Sequence, residues 1–106
     1  MKIYVKLPDA SVREAVGKPG QSVMEALRAS DIPIRADCGG AMACASCHVT
    51  VDDAWQSCVG AAGPEESDLL DSSDYRAPGS RLSCQFAATE ALDGLSLTLQ
   101  LDAFEG

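Results

Sequence analysis

The sequence predicts an α+β fold, with a mixed sheet, a packed helix and a ligand-binding loop. Three observations carry this. Residues 2–7 and 95–101 alternate polar and apolar side chains, the period of a half-buried strand. Ser22-Val23-Met24-Glu25 has the form of a capping box and opens a short helix. Residues 35–46 are rich in Gly, Ala and Cys and follow neither period, so they read as a binding loop rather than as core. Strands and helices mixed in one short chain point to α+β layering.

In chain order, Lys2-Ile3-Tyr4-Val5-Lys6-Leu7 is the first strand, and Pro8-Asp9-Ala10 turns the chain. Ser11 to Val16 returns as the second strand of a hairpin, and Lys18-Pro19-Gly20 ends it. The helix from Ser22 runs to about Ser30, with Val23, Ala26 and Leu27 on one face. After the loop, His48-Val49-Thr50-Val51 reads as a strand and residues 52–63 as a connector. Pro64-Glu65-Glu66-Ser67-Asp68-Leu69-Leu70 starts a helix, with Pro in the first turn and carboxylates at the positive end of the dipole. Residues 75–80, with Pro78-Gly79, form a turn before a short strand over 81–86. Leu95, Leu97, Leu99 and Leu101 mark the last strand. No internal repeat or low-complexity tract is present.

A chain of 106 residues is expected to form one domain over 1–106. Sixteen acidic against eight basic residues leave a formal charge of −8. That excludes nucleic acid as a natural partner and is poor for an anionic membrane. No run is long or apolar enough to span a bilayer, and the N-terminus lacks a signal-peptide pattern. The protein is therefore expected to be soluble, cytoplasmic and monomeric, with its acidity free to steer it toward basic surfaces.

Five cysteines without a secretion signal point to metal or redox chemistry rather than to disulfides. Five residues separate Cys38 from Cys44, two separate Cys44 from Cys47, and 36 lie between Cys47 and Cys84. Four thiolates are what a [2Fe-2S] cluster requires. Gly39, Gly40, Ala41, Ala43, Ala45 and Ser46 are small enough for the backbone to close around such a group and aim N–H donors at its sulfurs. A four-cysteine zinc module that mediates protein contacts is the alternative. It prefers two Cys-x2-Cys pairs, and only Cys44 and Cys47 have that spacing. A thioredoxin-like Cys-x-x-Cys would open a helix, whereas this one leads into a strand. Cys58 has no partner spacing and reads as a structural, non-ligand thiol. No nucleophile–base pair suggests an enzyme.

Cys38…Cys44…Cys47-His48 followed by Arg81-Leu82-Ser83-Cys84-Gln85 resembles the adrenodoxin and putidaredoxin type of [2Fe-2S] ferredoxin over nearly the whole chain. Asp37, the acidic segment near residue 65 and Asp93-Gly94 fall where that family has them. The resemblance implies a ferredoxin-type β-grasp and one [2Fe-2S] cluster. Cys38 and Cys44 would hold the outer iron, and Cys47 and Cys84 the inner one. His48 would be structural, linking the cluster loop to the body, and Arg81 would tie loops together. Glu65, Glu66, Asp68, Asp71 and Asp74 would dock on basic partners, with Asp37 beside the cluster. Phe104 stands where putidaredoxin-like chains end in an exposed Trp, and Gln100 where Pro is often found. The implied role is one-electron transfer from an NAD(P)H-dependent FAD flavoprotein ferredoxin reductase to a cytochrome P-450 monooxygenase. Electron supply to iron–sulfur cluster assembly is the alternative within the family.

Overall fold

The structure, a computed structural model, describes residues 1–35 and 46–105. Five strands form one mixed sheet: β1 (Lys2–Lys6), β2 (Val12–Val16), β3 (His48–Val51), β4 (Ser80–Leu82) and β5 (Leu95–Leu99). Their order across the sheet is β2-β1-β5-β3-β4. The β1–β5 pair is parallel, and the β1–β2, β3–β5 and β3–β4 pairs are antiparallel. With α1 (Val23–Ala29), α2 (Asp53–Val59) and α3 (Pro64–Asp71), this is the expected α+β fold of the β-grasp kind.

Register follows from alternation. Ile3 lies opposite Leu95, and Val5 opposite Leu97. Val51 and Val49 lie opposite Leu97 and Leu99. All seven are buried, and they share one core with Val23, Ala26 and Leu27 of α1 and Leu70 of α3. Slipping any strand by one residue would turn its apolar set to water. The capping box forms as expected: Glu25 N–H donates to Ser22 Oγ at 3.1 Å, and Ser22 N–H to the Glu25 carboxylate at 2.9 Å.

Three segments differ from the sequence-based expectation. Residues 53–59 are helical rather than a connector. No residue of α2 is fully buried, so it carries no strong apolar period. Its start is set by long-range contacts at Asp52, whose carboxylate accepts from Ser96 Oγ at 2.6 Å and faces Lys6 at 3.7 Å. The strand expected over 81–86 is confined to Ser80–Leu82, and Ser83–Gln85 turns as a 3₁₀ helix. The last strand ends at Leu99, so Leu101 is exposed despite the alternation. Residues 101–103 turn instead, because Asp102 is drawn to His48.

Gly79 permits the turn into β4. Its φ is +85°, and a Cβ there would stand 2.7 Å from the Val51 carbonyl oxygen. Among the described residues no helix is long and apolar enough to cross a membrane.

Candidate metal centre

Cys47 immediately precedes β3, and Cys84 lies two residues beyond β4. Antiparallel pairing of His48 with Leu82 brings both to one end of the β3–β4 ladder. Their sulfurs stand 3.3 Å apart. An S–S bond is about 2.05 Å, so these are neighbouring thiols and not a disulfide. Ser83 holds the two segments together: its N–H and its Oγ both donate to the Cys47 carbonyl, at 3.1 and 2.8 Å. Gln85 Nε2 donates to Cys84 Sγ at 3.2 Å.

The hydrogen bond from the Cys47 thiol, then that from Gln85, draws the Cys84 thiol down to about 6 from its ordinary value, against the opposing effect of partial burial. The thiolate is the metal-binding form. A buried thiol beside a half-buried one, with an amide N–H already aimed at sulfur, fits a thiolate-bound iron–sulfur group. Asp37, Cys38 and Cys44 lie outside the described residues.

Behind this pair lies a buried ion pair. Arg81 Nε and Nη2 donate to the two oxygens of Glu66 at 2.6 and 3.1 Å. Leu82 N–H donates to the same carboxylate at 2.9 Å. Arg81 Nη1 also reaches the Gly60 carbonyl at 2.9 Å, and its guanidinium sits 5.0 Å from the Phe86 ring centroid. Arg81 thus ties the end of α2, α3 and the Cys84 turn together, as expected. Glu66 is corrected by the same geometry. It is 3% exposed, its carboxylate is spent on Arg81 and Leu82, and it cannot meet a partner. The other four carboxylates of the segment, Glu65, Asp68, Asp71 and Asp74, are exposed.

His48 is fully buried. Its Nδ1 lies 3.2 Å from the Asp102 carboxylate, and its Nε2 lies 2.8 Å from Ser80 Oγ. Ser73 Oγ donates to Asp102 at 2.5 Å. The imidazole therefore joins β3, the first residue of β4 and the C-terminal turn, a structural role. Phe104 is half-buried against the core and bridges to Ile34, so its ring is not a freely exposed one. Cys58 is exposed on α2, which corrects its reading as a structural thiol. Ser73, Ser83 and Asp102 were not singled out from sequence. Their partners lie 25 to 54 residues away, and no local pattern marks them.

Residues 7–89 match the family described as the 2Fe-2S iron-sulfur cluster binding domain. The [2Fe-2S] ferredoxin CtmE of Castellaniella defragrans is 54% identical over 78 residues, 73% of this chain and 73% of that protein. A ferredoxin from Rhodopseudomonas palustris HaA2 superposes with a TM-score of 0.89 at 40% identity, covering 97% of this chain and 99% of its own. A reduced single-site variant of putidaredoxin from Pseudomonas putida gives a TM-score of 0.88 at 36% identity, covering 95% and 97%. The chain belongs to the putidaredoxin-type [2Fe-2S] ferredoxins.

As a ferredoxin it carries one [2Fe-2S] cluster and is an electron carrier rather than an enzyme. The cluster supplies a one-electron couple, and the chain supplies ligation, shielding and a surface for partners. Putidaredoxin has also been solved in a covalent complex with putidaredoxin reductase, at a TM-score of 0.86 and 38% identity to this ferredoxin, over 93% of this chain and 97% of its own.

Cys58 tests the ligand set from outside it. Cys58→Ser is expected to retain full iron content and an unchanged visible spectrum, since the thiol is exposed on α2. Loss of iron on quantitative assay would show a fifth cysteine taking part.

Proposed function

We propose that Cys38, Cys44, Cys47 and Cys84 ligate the cluster, within one ferredoxin domain over 1–106. On this reading the protein passes single electrons from an NAD(P)H-dependent FAD flavoprotein reductase to a cytochrome P-450 monooxygenase. The 3.3 Å Cys47–Cys84 pair supports the ligand set. The observation that carries the docking role is the linkage of α3 to that pair. The helix turns Glu65, Asp68 and Asp71 to solvent, with Asp74 exposed in the turn that follows, while its Glu66 is locked to Arg81 and to the strand leading into Cys84. A basic partner held on α3 is thereby held against the ligand-bearing end of the sheet. The complex of putidaredoxin with its reductase supports a reductase as one such partner.

A shuttle must also leave, so its docking is weak and salt-sensitive. Reversing the charge of Asp68 and Asp71 to Lys is expected to slow reduction by the reductase several-fold at low salt, with the visible spectrum intact. Stopped-flow reduction at two ionic strengths checks this, and an undiminished rate would remove α3 from the docking surface.

The acceptor is tested with a haem-thiolate oxygenase of the same cell, its reductase and NAD(P)H. Appearance of the carbon monoxide difference band only when this ferredoxin is added assigns the oxygenase role. A ferredoxin that is reduced while no oxygenase receives the electron points to cluster assembly instead.

A further inference from the structure

The four exposed carboxylates of the α3 segment are not equivalent. Arg76 Nη1 donates to Asp71 Oδ1 at 2.5 Å and to the Ser67 carbonyl oxygen at 2.7 Å. Ser67 and Asp71 are four residues apart on α3, so the guanidinium lies along one stripe of the helix and covers it. Its second bond is to backbone, so part of what holds it there does not depend on the Asp71 carboxylate. Ordinary surface ion pairs are loose because both side chains must be ordered for one contact. Here the cation has a second fixed acceptor. Asp71 nevertheless remains 69% exposed at its side chain, within reach of an incoming charge.

We propose that Arg76 is a built-in competitor for the docking helix: it neutralises Asp71, leaves Glu65, Asp68 and Asp74 as the active carboxylates, and so weakens and narrows the ferredoxin's attraction for basic partners. This rests on the docking role of α3 proposed above and adds a residue that tunes it. An approaching Lys or Arg must displace the Arg76 guanidinium to reach Asp71, or do without that carboxylate. Removing the competitor therefore strengthens the encounter, most at low salt, where unscreened charge acts furthest.

The test uses the cluster-loaded ferredoxin, reduced with dithionite, and ferric cytochrome c as a basic one-electron acceptor. Each transfer oxidises one reduced cluster and reduces one ferric haem to ferrous, with no proton moved. Arg76→Gln is compared with Arg13→Gln, which changes net charge equally. Arg13 is exposed on β2, at the opposite edge of the sheet from the β4 edge that α3 packs on. Unchanged visible spectra establish that the variants are intact.

The expected result is a second-order rate about threefold higher for Arg76→Gln at low ionic strength. The gain should fade with salt, be absent in Arg13→Gln, and vanish when Asp71→Asn is already present. Equal gains in both Arg variants would reduce the effect to net charge, and a slower Arg76→Gln would make Arg76 a contact rather than a competitor. Either result overturns the proposal while a slowed Asp68→Lys keeps the docking face. A full rate for Asp68→Lys removes that face, and the proposal with it.

Discussion

Glu66→Ala is expected to destabilise the ferredoxin by about 3–5 kcal/mol, the cost of stranding one partner of a buried ion pair. The Arg81 and Glu66 side chains are 9% and 4% exposed, so water cannot replace what is lost. The substitution leaves the guanidinium without its bidentate acceptor and removes the acceptor of the Leu82 N–H. For a chain of this size that corresponds to a fall in the melting temperature of roughly 15–25 °C. Thermal unfolding followed by far-ultraviolet circular dichroism and by cluster bleaching measures it. Melting at the wild-type temperature would mean that the pair contributes nothing. The double replacement Glu66→Leu with Arg81→Met should recover much of the loss, because an apolar pair of similar volume carries no desolvation cost. Failure of the double variant to recover would place the effect in the Leu82 N–H, which loses its acceptor in both variants, or in the Gly60 and Phe86 contacts of Arg81. The exposed Arg76–Asp71 pair makes the contrast: breaking it should change stability by no more than about 1 kcal/mol.

Cys84→Ala is expected to abolish [2Fe-2S] binding. The substitution removes one of two sulfurs that stand 3.3 Å apart, the one on which the Gln85 amide is aimed. No other described side chain can take its place. Cys58 lies on α2, and among the described residues no three or more of His, Cys, Asp and Glu are grouped so as to hold a metal ion in its stead. The variant should be isolated colourless, with iron and visible absorption lost while Cys58→Ser keeps both. Because metal binding contributes folding free energy, its melting temperature should fall as well. A red-brown Cys84→Ala protein with two irons per chain would mean that the fourth ligand is a different residue.

Much of the fold was legible because its signals are local. The alternation from Leu95 and the Ser22–Glu25 capping box act within a few residues; the capping box forms as read, and the strand forms but stops at Leu99, short of Leu101. The spacing of four cysteines is likewise a property of the chain alone, and it sufficed to name the cofactor. The α2 helix was missed because none of its residues is buried enough to leave a period. The Cys84 segment was misread as strand because the force that turns it, the hold of Ser83 on Cys47, spans 36 positions.

The sequence by itself therefore determined the approximate positions of the sheet strands, the acidic character and the [2Fe-2S] chemistry. Only the tertiary structure decided which carboxylate of a charge run faces inward. Glu65 and Glu66 are adjacent and chemically alike, yet one is exposed and the other is buried on Arg81. That choice is made by how α3 packs on β4, a contact between segments 15 residues apart, and the burial it imposes turns a docking charge into a structural one.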